Sequence, residues 1–253
     1  MTVGWSVFKT PEIPPTAEEL IALKAEKINV FTPFKEIGNA IGNMPKVMWQ
    51  LALVYLFQWY ALFCYWQNAS KSIAQSVWNT TVYQNNPAYD EAVGWSGLVN
   101  GWYNIITFVS AFFLLWLAKK ISPKMIHVIC LIMAAVGLLV FPHITDKNLL
   151  FVPMAGFGVA WASMMGIPYL LVVDKIPKEK YGVYMGIINM MIVIPMLIQN
   201  LSFGYILKHF LNNDPGKAIS FAGVLLLLAA VATLFIQSSG KQQNNDGTMT
   251  MNG

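Results

Sequence analysis

Six apolar stretches, at 47–66, 95–118, 125–142, 149–173, 183–207 and 217–237, constrain this chain more than any other feature. A bilayer core about 30 Å thick needs about 20 mostly apolar residues per helix, and the stretches are of that order. Only helices and closed barrels satisfy their own backbone polar groups in lipid, and barrel strands run to only about 10 residues. The expected fold class is therefore an all-α membrane protein with six transmembrane helices. The composition agrees: 56% of the residues are hydrophobic and 11% are charged, against about 25% charged in an average soluble domain.

All 16 basic residues are lysines. With no arginine, the chain lacks the planar fork that grips phosphate or carboxylate through two bonds, so it is poorly equipped for anionic substrates. A net charge of +4, carried in loops between spans, does not point to nucleic acid. Lysines crowd one side: Lys9, Lys24, Lys27, Lys35 and Lys46, then Lys119, Lys120 and Lys124, then Lys175, Lys178 and Lys180, then Lys241. The other side carries Lys71, Lys147, Lys208 and Lys217. The richer side is expected to be cytoplasmic, with both termini inside.

Residues 1–45 read as a cytoplasmic linker with short amphipathic helices. Pro11, Pro14 and Pro15 precede a capping pattern from Thr16 to Glu19, which predicts a helix over about 16–28. A second helix from Thr32–Pro33 would carry Phe34, Ile37, Ile41 and Met44 on one face. Residues 46–237 form the six-helix transmembrane half-domain, and the polar stretch 238–253 reads as a disordered cytoplasmic tail. A polar external loop is expected over 68–93, with glycosylation sequons at Asn68 and Asn79.

Inside the spans the informative residues are polar but uncharged. Ser96, Asn100, Tyr103, Asn104, Thr107 and Ser110 recur at helical steps, and Asn189 and Asn200 lie eleven residues apart, about three turns. Tyr55, Gln58 and Trp59 cluster in the first span. Such groups are costly in lipid unless they meet each other or line a wet cavity. Amides both give and accept hydrogen bonds, as a sugar hydroxyl requires, and aromatic rings stack on the apolar face of a pyranose. The expected substrate-binding set is thus Gln58, Asn100, Asn104, Asn189 and Asn200 as donors and acceptors, with Tyr55, Trp59 and Tyr103 as stacking partners. Asp174, Lys178 and Lys180 form an expected charge cluster near an inner gate. Pro153, Pro168 and Pro195 interrupt the fourth and fifth spans, and Gly182 and Gly186 are expected at packing positions. Trp66, Trp78, Trp95 and Trp102 suit an interfacial belt. His127, His143 and His209 are not clustered, and Cys64 and Cys130 lack CxxC spacing, so no metal, disulfide or cofactor is expected. No nucleophile sits with a base, and there is no P-loop or acid pair, so the chain does not read as an enzyme.

The stretch GIPYLLVVDKIPKEKYGVYMGIINMMIVIP (Gly166–Pro195) resembles the sucrose- and maltose-type sugar–proton symporters. These are a branch of the major facilitator superfamily related to the glycoside–pentoside–hexuronide cation symporters. QWYALFCYW (Gln58–Trp66) is similar to that family's seventh helix, and FKTPEIPP (Phe8–Pro15) to the segment after its sixth. AKKISPK (Ala118–Lys124) stands where the superfamily carries Gly-x-x-x-Asp-Arg-x-Gly-Arg and keeps only its positive charge. The resemblance runs from about Phe8 to Gln237. It implies helices 7–12 of a twelve-helix transporter, and transport of a neutral di- or oligosaccharide coupled to a proton across a bacterial inner membrane. It also implies a partner, either a missing amino-terminal six-helix half or a second copy, because alternating access rocks one half against the other. The other expectation is a truncated or assembly-only subunit with no transport of its own.

Overall fold

The computed structural model describes residues 16, 32–81, 85–177 and 180–237. The chain divides into two compact units, Met1–Gly42 and Asn43–Gly253. The first contains α1 (Thr32–Gly42), which starts at the expected Thr32–Pro33. The helix expected over 16–28 and the tail expected over 238–253 lie outside the described residues.

The second unit contains α2 (Lys46–Val77), α3 (Pro87–Leu117), α4 (Pro123–Val140), α5 (Phe151–Val172), α6 (Tyr181–His209) and α7 (Pro215–Leu234). All six are long and apolar enough to cross a membrane. They alternate in direction, so the turns richer in lysine collect at one end of the bundle. Here α2 is the hub. It packs most extensively on α7 and also touches α3, α5 and α6, while α4 wedges against both α5 and α7. The α3 helix lies along α5, and α6 packs extensively on α2 alone.

The expected loop over 68–93 is much shorter. The α2 helix continues through Asn68–Val77, and α3 starts at Pro87. No proline or glycine interrupts 67–77, and Asn68, Ala69, Ser72, Ile73 and Ala74 are buried, so packing extends the helix beyond its most apolar part. The sequon residue Asn68 is therefore a core side chain, whose amide donates to the Cys64 carbonyl at 2.9 Å. Asn79, by contrast, is exposed in the following turn, with a left-handed φ of 49°.

Close helix approach rests on glycine at two places. A Cβ on Gly158 of α5 would stand 2.5 Å from the Tyr103 carbonyl oxygen and 2.9 Å from Ile106 Cβ on α3. A Cβ on Gly223 of α7 would stand 2.9 Å from Leu139 Cγ and 3.0 Å from the Ala135 carbonyl oxygen on α4. Both are small-residue contacts of the kind that let transmembrane backbones touch. Gly182 and Gly186 behave otherwise. Nothing lies within 4 Å of a Cβ built on either, so the expected packing role fails within the described bundle.

Polar ties close both ends. At the lysine-rich end Gln50 accepts from the Gln237 backbone N–H at 3.0 Å and donates to the Phe235 carbonyl at 2.8 Å. Lys124 Nζ donates to the Leu234 and Ile236 carbonyls at 3.2 and 3.1 Å, satisfying groups that the C-terminus of α7 leaves open. At the other end the Trp95 and Trp102 indoles each donate at 2.9 Å, to the Lys147 and Phe151 carbonyls. Asp214 caps α7, and Asn212 and Asn213 both take φ 56° in the α6–α7 turn. Asn tolerates that conformation better than most residues.

Candidate functional site

The hub position of α2 makes its uncovered face the natural floor of a site, with α3 and α5 on one flank and α6 on the other. Seven residues are close to two helical turns, so Trp59 and Trp66 share a face, as do Gln58 and Tyr65. The first pair starts an aromatic row. Tyr55 meets Trp59 edge-on with centroids 6.3 Å apart, Trp59 meets Trp161 of α5 at 5.9 Å, Trp161 meets Trp66 at 5.6 Å, and Trp66 meets Phe63 at 5.4 Å. Edge-to-face pairing of this kind, with the edge of one ring on the face of the next, is the favoured geometry for aromatic contacts. The row passes from buried Tyr55 and Trp59 to Trp66, which is 36% exposed.

Beside the row, Tyr65 Oη donates to Asn100 Oδ1 at 2.9 Å, and Asn104 donates to the Asn100 carbonyl at 2.8 Å. Tyr103 is buried and packs edge-on against Phe157 at 5.1 Å, while the Tyr65 ring tilts onto the same Phe157 at 4.9 Å. Thr107, lower on α3, donates to the Gly158 carbonyl at 2.9 Å. The polar stripe of α3 is thus divided. Ser96, Tyr103 and Thr107 turn toward the bundle, and Asn104 turns outward.

On the α6 flank three amides meet. Gln67 Nε2 donates to Asn200 Oδ1 at 2.9 Å and to Gln199 Oε1 at 3.3 Å, and Gln199 Nε2 returns a bond to Gln67 Oε1 at 2.9 Å. Tyr60 and Ser202 share a 2.8 Å hydrogen bond one turn away. Asn189 stands apart from this group, exposed on the outward face of α6.

The expected site residues therefore fall into separate groups. Tyr55 and Trp59 belong to the aromatic row, Asn100 and Tyr103 to the α2–α3–α5 cluster, and Asn200 to the amide trio. Asn104 and Asn189 lie on open faces of the two flanking helices. Gln58 is fully buried, and neither atom of its amide has a partner among the described residues. A buried amide left unpaired costs about 1–3 kcal/mol. Lys180 is exposed at the start of α6. Lys178 and the Asp174 side chain lie outside the described residues, so the expected charge cluster does too.

Tyr65, Gln67, Trp161 and Gln199 enter the site through contacts that a single sequence does not display. The seven-residue echoes Gln58–Tyr65 and Trp59–Trp66 were the available signal for the α2 face. The pairing of Gln67 with Gln199 spans most of the chain and has no local signature. A further polar contact lies away from this face. His127 of α4 is fully buried, with Nδ1 2.9 Å from Ser163 Oγ on α5. Among the described residues no group of three or more His, Cys, Asp or Glu side chains is placed to hold a metal ion.

Aromatic rings, paired neutral amides and six membrane-length helices are what the described residues bring together around α2. No curated protein matches the chain. The family model of the Major Facilitator Superfamily matches residues 1–200, which take in α2 to α5 and most of α6. The chain thus belongs to the Major Facilitator Superfamily, whose members are membrane transporters and not enzymes.

Proposed function

We propose that this chain takes part in secondary active transport of a neutral di- or oligosaccharide, with a proton as the coupling ion and no other cofactor. The observation that carries the reading is the α2 face, where a row of tryptophans runs beside amides and no charged side chain is described among them. Ring faces bind the apolar side of a pyranose, and amides match its hydroxyls in both donor and acceptor sense. The sugar and proton assignments rest further on the resemblance of Gly166–Pro195 to the sucrose- and maltose-type symporters.

The six spans are proposed to be one half of a transporter, equivalent to helices 7–12. Gly94, Gly97, Gly101 and Asn104 face outward on α3, and Gly182, Gly186, Asn189 and Gly204 face outward on α6. Small and polar groups suit contact with protein or water better than contact with lipid tails. The partner proposed is an amino-terminal six-helix half or a second copy of this chain, in a bacterial inner membrane with both termini cytoplasmic. The same open faces favour the second reading, in which the chain has no transport activity by itself.

Counterflow of labelled sucrose and maltose in proteoliposomes tests both readings. The chain is reconstituted alone and after co-expression with an amino-terminal half from a symporter of this branch. Exchange in either preparation, accelerated by an inward proton gradient and reduced at least tenfold by Asn100→Leu, is the expected result. Sugar-independent behaviour in both preparations would overturn the sugar reading. Sugar binding without exchange by the chain alone would favour the half-transporter.

A further inference from the structure

We propose that Gln67, Gln199 and Asn200 form a clasp that a neutral polyhydroxylated ligand opens. The amides that hold α6 to α2 without ligand become its hydroxyl-binding groups when it arrives. The proposal deepens the sugar reading above and rests on it.

The geometry has three parts. First, the clasp has a buried root and an exposed rim. Gln199 is fully buried, with its Nε2 also 3.8 Å from Cys64 Sγ, while Gln67 and Asn200 are exposed on the uncovered side. A ligand can therefore reach the rim without first unpacking the root. Second, the outer half of α6 has few other ties among the described residues. The helix packs extensively on α2 alone, and its outer half is secured by the clasp, the Tyr60–Ser202 bond and the contact of Phe203 with Tyr60 and Phe221. Pro195 lies inside the helix one turn before Gln199. Proline removes a backbone donor and its ring crowds the preceding turn, which makes this a bend point for the outer half. Third, the aromatic row ends at the same level of α2 as the clasp. Trp66, its partly exposed end, immediately precedes Gln67, about 100° round the same turn.

The chemistry distinguishes this contact from an ordinary helix tie. Every amide here carries both a donor and an acceptor, and all are neutral. Exchanging amide–amide for amide–hydroxyl hydrogen bonds is close to balanced, because each exchange replaces one neutral bond by another of similar strength. An ion pair or an apolar seam at the same place could not be traded for sugar hydroxyls on those terms. A contact that both holds a helix and prefers a ligand shifts the equilibrium of that helix by its differential affinity for the two arrangements.

The test uses the full chain in lipid nanodiscs with spin labels at Leu98→Cys on α3 and Tyr205→Cys on α6. Both positions are exposed, and the native Cys64 and Cys130 thiols are buried. Pulsed electron resonance reads the distance between the labels with and without saturating sucrose or maltose. Quenching of tryptophan fluorescence reads sugar binding in unlabelled protein. The clasp predicts a narrow distribution without sugar, a displaced one with sugar, and a displaced one in Gln199→Leu even without sugar. It also predicts sugar binding weakened about tenfold in Gln199→Leu, the cost of losing about one hydrogen bond. Gln67→Leu, a change on the exposed rim that leaves the buried root in place, should displace the distribution in the same way.

Unchanged distances in both variants without sugar would overturn the clasp. So would weakened sugar binding with no sugar-dependent movement, since the amides would then be a fixed wall. If neither sugar quenches fluorescence in the unmodified chain, either alone or co-expressed with the amino-terminal half, the sugar reading fails and the ligand-operated role fails with it. Normal binding that the variants leave unaltered would sink the clasp alone.

Discussion

The two sides of the bundle are built to different rules. On the side formed by α4 and α7, about half of each helix is buried, and Gly223 lets the two backbones meet. On the side formed by α3 and α6, less than a third of each span is buried. Glycines there meet nothing, and Asn104 and Asn189 face outward. The same residue type thus does opposite jobs. Gly158 and Gly223 are small because another helix occupies the space, whereas Gly101 and Gly186 are small where the bundle leaves space open. The contrast separates residues that make the bundle stable from residues available for function.

The sharpest way to break this comparison is through Phe157. It is almost wholly buried and touches both Tyr65 and Tyr103, so it sits where α2, α3 and α5 meet. Phe157→Ala should cost about 3–5 kcal/mol through lost packing and the cavity left behind. Reversible unfolding in mixed micelles measures it. Leu201→Ala on α6, where the side chain is 87% exposed, should change stability by less than about 0.5 kcal/mol. Comparable losses at the two positions would mean that the open side is covered in the protein as purified.

The glycines give the next test. Gly158→Ala places a methyl group against the Tyr103 carbonyl and Ile106, and overpacking of this kind costs about 1–3 kcal/mol. Gly101→Ala meets nothing and should be neutral or slightly stabilising, because alanine is the better helix former by about 1 kcal/mol. The same micelle unfolding separates them. A destabilised Gly101→Ala in lipid, with a neutral one in micelles, would place a partner against α3.

The spans were legible because their signal is bulk hydrophobicity, which needs no knowledge of neighbours. Their ends were less so. The α2 helix runs on past its apolar core because Ser72, Ile73 and Ala74 are buried by helices far away in sequence. The candidate site was legible by residue type and only partly by position. The periodicity of α3 placed Asn100 and Asn104 on one helix face. It could not tell that Asn100 would reach Tyr65 while Asn104 turned outward, since that depends on where α2 and α5 lie. Gln67 and Gln199 were visible as neighbours of chosen residues, yet their partnership is a tertiary fact. Gly182 and Gly186 illustrate the same limit. Small residues in a span predict a close contact, and none of the described residues comes within 4 Å of a Cβ built on either.

The smallest expected difference concerns hydroxyl and amide groups on the two faces of one helix. The Thr107 hydroxyl, with one proton to share, lies 2.8 Å from the Tyr103 carbonyl of its own helix and 2.9 Å from the Gly158 carbonyl across on α5. Replacement by valine keeps the shape and removes the donor. Interhelical hydrogen bonds in membranes average about 0.6 kcal/mol, and Thr107→Val should lose about that much. Among the described residues Asn104 donates only to the Asn100 carbonyl of its own helix, so Asn104→Leu should leave bundle stability within about 0.5 kcal/mol. Sugar exchange, not unfolding, is the readout for the role proposed above for this outward amide. If Asn104→Leu proves the more destabilising of the two, then the polar groups of α3 support the bundle from both faces, and the division between structural and functional sides fails at its finest scale.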